Sequence, residues 1–99
     1  MAAHVQHVVV IKFQEHTSDD QIAAFFADAL EMTKHIPGIT KFVHGPNCSP
    51  EGLTGDFTHA FIMSFESAAA RDGYLPHDKH EEFKAKWLPS VEKIFVIDI

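Results

Sequence analysis

Basic side chains are scarce in this sequence: eight Lys and Arg stand against fourteen Asp and Glu, for a formal charge of −6. Nucleic-acid affinity comes mainly from clustered Lys and Arg that track phosphates, and no such cluster is present, so DNA and RNA are excluded as expected partners. Cysteine is scarcer still. Cys48 stands alone, so no intrachain disulfide can form and the fold needs no oxidising compartment; the cytoplasm is the expected location. No apolar run approaches the roughly 20 residues of a membrane-spanning helix, and Met1 to Gln6 lacks the basic-then-apolar pattern of a leader. A soluble, unprocessed chain with no membrane partner is expected. Phosphate loops, dinucleotide fingerprints and serine nucleophile elbows are missing too, which removes support for nucleotide chemistry.

At 99 residues the chain has the size of one compact domain, 1–99. So short a chain buries a modest fraction of its surface and gains from a partner that covers more. Histidine is the abundant oddity: eight side chains, dispersed along the sequence, whose charge changes near neutral pH.

His7 to Phe13, HVVVIKF, is rich in β-branched residues and reads as a strand. Ser18 with Gln21 forms a capping box, and Asp19 and Asp20 place negative charge in a first helical turn. Ile22, Phe25, Phe26, Ala29, Leu30, Thr33 and Ile36 recur at helical spacing until Pro37-Gly38 stops them. Ile39 to Gly45 reads as a second, weaker strand, and Pro46 to Asp56 as a loop. Phe57 to Glu66 alternates cleanly, with Phe57, His59, Phe61, Met63 and Phe65 on one side. Ser67 caps a short Ala-rich helix ending near Gly73-Tyr74; Asp78 with Glu81 offers a second capping box for a helix to Trp87, with the break at Pro76. Val91 to Ile99 returns to strand.

This order is α+β, the ferredoxin-like βαββαβ plan: an antiparallel four-stranded sheet with helices on one face. Val8, Val10, Ala60, Ile62, Ile94 and Val96 are expected on the other face, where water would meet a contiguous apolar patch. At about 25 cal/mol per Å2 of apolar area buried, pairing two such faces stabilises a small domain substantially. The expected partner is a second copy, with the sheets packed face to face as a dimeric α/β barrel.

His7 shares a strand face with Val9 and Ile11, and His59 with Phe61, so both are expected to point toward the helices. His80, Phe83 and Trp87 fall on one helical face, with Tyr74 and His77 on the turn before. A cleft lined by His7, His59, Tyr74 and His80, walled by Phe25, Phe61, Phe83 and Trp87, would suit proton transfer near neutral pH. The plainer alternative is equally concrete: each imidazole a satisfied core residue, and the aromatics simply filling the core. His77-x-x-His80 and His4-x-x-His7 have no third ligand at a recognisable spacing, so no metal and no cofactor are expected. Cys48, beside Asn47 and Ser49 with no base in sight, reads as an incidental thiol.

HVVVIKF at His7 to Phe13, IPGITKFVHG at Ile36 to Gly45, FTHAFIMSFES at Phe57 to Ser67, YLPHDKHEEF at Tyr74 to Phe83 and the closing FVIDI resemble the stress-responsive A/B barrel (Dabb) family. The resemblance spans nearly the whole chain and implies a ferredoxin-like fold and a dimer closed through the sheets. It also implies two kinds of function, since the family holds plant stress-protective proteins and a cofactor-free plant polyketide cyclase. By resemblance to the cyclase, His80 is the general base, Tyr74 its partner, and His7 and His59 pocket residues; His77 also matches a family histidine and is a further candidate for lining the ligand pocket. Two functions stay open: cofactor-free cyclase- or lyase-type proton transfer on a small apolar, phenolic or keto ligand, and a non-catalytic stress-protective or binding homo-oligomer.

Overall fold

The structure, a computed structural model, describes residues 4–99; residues 1–3, part of the stretch read above for a leader, lie outside the described residues. The elements are β1 (Val5–Phe13), α1 (Asp19–Thr33), β2 (Ile39–Pro46), β3 (His59–Phe65), α2 (Ala68–Tyr74), α3 (Asp78–Trp87), a single 3-10 turn (Leu88–Ser90) and β4 (Val91–Asp98). The strands form one antiparallel sheet in the order β2-β3-β1-β4, the ferredoxin-like arrangement.

Helix α1 starts where its capping box dictates: the Gln21 amide donates to Ser18 Oγ at 3.1 Å, and Ser18 N donates to Gln21 Oε1 at 2.8 Å. The Ser67 hydroxyl caps α2 by accepting from Ala70 N at 3.1 Å. Helix α3 departs from the expected Asp78 cap. His77 is its N-cap, extended at φ −60° and ψ 138°, and the Lys79 amide donates to its Nδ1 at 3.1 Å. The lone pair of a neutral imidazole accepts as a carboxylate oxygen would, so the cap falls one residue earlier. Asp78 and Glu81 remain in the first turn, where the helix dipole favours them.

The core lies between the sheet and the helices. Val9, Ile11, Met63 and Phe65 are the large side chains most fully withdrawn from water. Phe13, Phe25 and Phe26 meet edge to face, with centroids 4.9 to 6.3 Å apart, a geometry that adds about 0.5–1.5 kcal/mol per pair to simple burial. Gly38, at φ +89°, passes so close to α2 that a Cβ would sit 2.5 Å from Ala70 Cβ. Only glycine fits both demands.

Two expectations about faces are corrected. Phe57 precedes β3 and does not share the helix-facing side with His59 and Phe61: its amide donates to Thr54 O at 3.1 Å in a turn, and its ring packs on Phe95 at 5.0 Å. In β4 the phase is opposite to the one expected. Ile94 pairs with Ile11 and Val96 with Val9, placing both on the helix side, while Phe95 opposite Val10 and Ile97 opposite Val8 take the outer face. A strand with four consecutive apolar residues carries no alternation to set its phase, so pairing sets it. The outer face stays apolar all the same, with Phe95 68% and Ile97 63% exposed. Lys12 and Lys93 bound to Asp56 form a charged rim at one end.

Candidate active site

Between the sheet and α2–α3 lies a cavity of about 330 Å3. His7 enters it from β1, Tyr74 from the last residue of α2, and His80 from the first turn of α3; Phe25, Phe61, Phe83 and Trp87 supply apolar wall. The break at Leu75-Pro76-His77 folds α3 back so that the Tyr74 and His80 rings stack, with centroids 4.0 Å apart and planes 24° apart. His7 meets the Tyr74 ring edge-on at 5.7 Å.

Hydrogen bonds fix where the protons sit. His80 Nδ1 lies 2.9 Å from the Leu75 carbonyl, which can only accept, so Nδ1 donates and Nε2 of the neutral ring carries the lone pair. Burial, reinforced by nearby Lys84, lowers the His80 pKa despite the opposing pull of the Leu75 carbonyl. The ring is therefore neutral and basic at pH 7. Burial drives the Tyr74 hydroxyl the other way, well above its ordinary value, with the Asp98 charge adding to the effect, so it remains a proton donor. No hydrogen bond ties that hydroxyl to another described residue, and no buried side-chain polar atom among the described residues lacks a partner. The Tyr74 oxygen thus keeps accessible surface.

His7 Nδ1 donates to Asp98 Oδ1 at 2.7 Å, and Arg71 Nη1 donates to Asp98 Oδ2 at 2.6 Å. Burial alone would raise the Asp98 pKa, but the hydrogen bonds from Arg71 and His7 outweigh it and hold the carboxyl below its usual range. Trp87 is anchored from α1: its Nε1 donates to Asp28 Oδ2 at 2.9 Å, which also accepts from Lys86 at 2.7 Å.

Of the expected lining, His7, Tyr74, His80, Phe25, Phe61, Phe83 and Trp87 converge. His59 and His77 do not join them. His59 is on the expected face but pairs with Ile11, four residues along β1 from His7, or about 13 Å at strand rise. Its ring packs on Phe13 and Phe26 at 5.3 and 5.9 Å, and its Nδ1 lies 2.9 Å from Thr58 Oγ1. His77 spends its Nδ1 on the cap of α3 and faces a separate hollow beside Ile36 and Glu66. Asp98, Arg71 and Lys84 escaped the sequence reading. An acid inside the otherwise apolar FVIDI was the available signal for Asp98; Arg71 and Lys84 look like ordinary surface positions until the helices are placed.

Among the described residues no group of three or more His, Cys, Asp or Glu is arranged to hold a metal ion, and no helix is long and apolar enough to cross a membrane. Cys48 is exposed.

The family model of the stress-responsive A/B barrel domain matches residues 5–99. The chain belongs to this family. It is 32% identical over 94 residues to the stress-response A/B barrel domain-containing protein HS1 of Arabidopsis thaliana, covering 95% of this chain and 86% of the relative. Olivetolic acid cyclase of Cannabis sativa is 24% identical over 94 residues, covering 95% and 93%. Among solved structures, the hydroxynitrile lyase of Passiflora edulis superposes with a TM-score of 0.90 at 26% identity, covering 97% of this chain and 91% of the lyase. A ferredoxin-like protein from Jannaschia sp., described as dimeric, matches with a TM-score of 0.85 at 26% identity, covering 98% of each chain.

Proposed function

We propose that the cavity of this Dabb-family protein binds a small, mostly apolar molecule bearing a carbonyl or phenolic oxygen and catalyses cofactor-free proton transfer on it. His80 Nε2 takes a proton from the carbon next to the carbonyl, and the Tyr74 hydroxyl donates a hydrogen bond to the enolate oxygen that develops. Carbon–carbon closure follows when that enolate carbon attacks a second carbonyl of the same molecule, whose oxygen, as its π bond opens to an alkoxide, takes the proton back from His80. A positioned base contributes about 10²–10⁴-fold, and a donor aimed at a developing oxyanion about 10²–10³-fold. The observation that carries this reading is the stacked Tyr74–His80 pair, whose base nitrogen is proton-free and whose hydroxyl has no hydrogen-bond partner among the described residues, on the wall of an apolar cavity. Relatives named as a cyclase and a hydroxynitrile lyase support it.

We also infer that two copies pair through the outer sheet face. Phe95, Ile97 and Val43 are exposed there, and a solved relative of this fold is described as dimeric. A symmetric pair buries the same patch twice.

The cavity holds the chain's one tryptophan, Trp87, which makes binding directly observable. Titration with short aryl ketones, acylphenols and β-keto thioesters should change Trp87 fluorescence saturably, and Phe61→Trp should narrow the range accepted. No saturable change with any of these would sink the enzyme reading and favour the stress-protective homo-oligomer, for which the exposed outer face is the supporting feature.

A further inference from the structure

The carboxylate of Asp98 is held at both oxygens, by a strand residue on one side and a helix residue on the other. His7 of β1 takes Oδ1 and Arg71 of α2 takes Oδ2. Arg71 also donates from Nε to Asp72 Oδ1 at 2.8 Å, so its guanidinium is pinned at two of its nitrogens. It lies three residues before Tyr74 on the same short helix, and its side chain is three-quarters shielded from water.

Resting on the reading of the cavity as a proton-transfer site, we propose that Arg71 is a positioning residue: by fixing Asp98 it keeps the His7 proton on Nδ1 and leaves a proton-free Nε2 on the cavity wall. The physical case has three parts. A carboxylate bound only by one imidazole can turn about its own axis and trade that contact for water. The planar guanidinium removes that freedom, because its Nε is held by Asp72 and its Nη1 therefore presents a fixed, charged donor to Oδ2. Its charge also keeps Asp98 ionised, so Oδ1 can only accept and the proton of His7 has to face it.

The groups facing His7 are Asp98 from β4, Tyr74 from α2, His80 from α3, and the Phe61 and Phe65 rings of β3 at 6.4 and 6.1 Å. Of these, Asp98 alone is an anion. Whatever sets its orientation therefore sets the tautomer of His7. With Arg71 in place, His7 and His80 both hold the proton on Nδ1, each against its own acceptor, and both offer a lone pair at Nε2. The arrangement also couples α2, which carries Tyr74, to the strand that orients His7.

The test needs no substrate. Imidazole nitrogen shifts of His7 are measured by NMR in the ligand-free protein, assigned with His7→Gln, across pH 5 to 8. The wild type should show one tautomer, Nδ1–H. Arg71→Gln should give a mixture of both tautomers, and Arg71→Lys should restore only part of the wild-type pattern. Asp98→Asn should remove the single tautomer alone, with Arg71→Gln adding nothing further on that background, the non-additivity expected of one chain of contacts. Melting temperature is recorded for each variant. A fall in melting temperature with unchanged His7 shifts would make Arg71 a structural tie and overturn the proposal; so would additive effects of Arg71→Gln and Asp98→Asn. Should Arg71→Gln not fold, Arg71→Lys answers the same question by its tautomer ratio. A protein that shows these shifts yet turns over no carbon acid would leave the role of Arg71 standing and remove the enzyme reading, so the two are separable.

Discussion

The Tyr74 and His80 rings lie face to face at 4.0 Å, six residues apart, because a two-helix corner interrupts the chain between them. Burial acts on both and in opposite senses: it makes the imidazole harder to protonate and the phenol harder to ionise. Each is thereby held in the form that proton abstraction from a carbonyl compound requires, a neutral base and a neutral donor.

His80→Ala should lower proton-transfer turnover about 10²–10⁴-fold, and Tyr74→Phe about 10²–10³-fold. The partly buried His80 should cost only about 1 kcal/mol of stability when truncated. Steady-state rates beside thermal melts check this pair. A variant that loses stability but keeps turnover would mark His80 as a packing residue.

Acid should weaken the fold in two steps. The pKa values of His80 and His59 are both lowered by burial in the folded state, so the unfolded chain takes up those protons first as pH falls. Their contribution is complete above about pH 6.5, the unperturbed histidine value, and declines below it. Asp98, depressed by Arg71 and His7, contributes above the unperturbed carboxylate value of about 3.9 and loses that as pH drops through its lower folded value. Urea midpoints between pH 7.5 and 5 should fall, and His59→Gln with His80→Gln should flatten the slope. A midpoint that stayed level in the wild type would contradict it.

Phe95→Lys on the outer face should dissociate the dimer. Each fully buried aromatic is worth about 1.5–3 kcal/mol, and symmetry removes two. The dissociation constant should therefore rise by two orders of magnitude or more at about 1.4 kcal/mol per tenfold. Sedimentation equilibrium reads this directly; a wild-type protein that stays at single-chain mass at high concentration would rule the pairing out.

Gly38→Ala should destabilise the fold by about 1–3 kcal/mol through overpacking, since its Cβ would meet Ala70 at 2.5 Å. Adding Ala70→Gly should recover the clash but not the cost of the positive φ. Full recovery in the double variant would show that the backbone is indifferent there.

Local signals told the truth where they stood alone. Ser18 with Gln21 places the start of α1, and the alternation through His59 to Phe65 the most regular strand; α1 itself ends at Thr33, capped by Lys34, short of the Ile36 and Pro37-Gly38 expected to close it. The order of elements then leads to the ferredoxin-like sheet, and helical spacing brings Tyr74 and His80 toward one side. What failed depended on pairing. The phase of β4 was illegible because Ile94 to Ile97 is apolar on both faces, and the register with β1 decides it. His59 has the face that alternation gives it but the wrong level, since period two says nothing of distance along the strand. Asp98 meets His7 across 91 positions, and a contact that distant leaves no local pattern. His77 was mistaken for lining because a histidine cap looks like any polar residue before a helix.

Solvent deuterium incorporation tests the central claim most directly. A panel of methyl ketones and β-keto thioesters is incubated with the protein in deuterium oxide and followed by proton NMR. At least one compound should exchange the hydrogens next to its carbonyl faster than in buffer, with the enhancement lost in His80→Ala and reduced in Tyr74→Phe. Exchange that stays at the buffer rate for compounds shown by Trp87 fluorescence to occupy the cavity, or that survives unchanged in His80→Ala, would contradict the account.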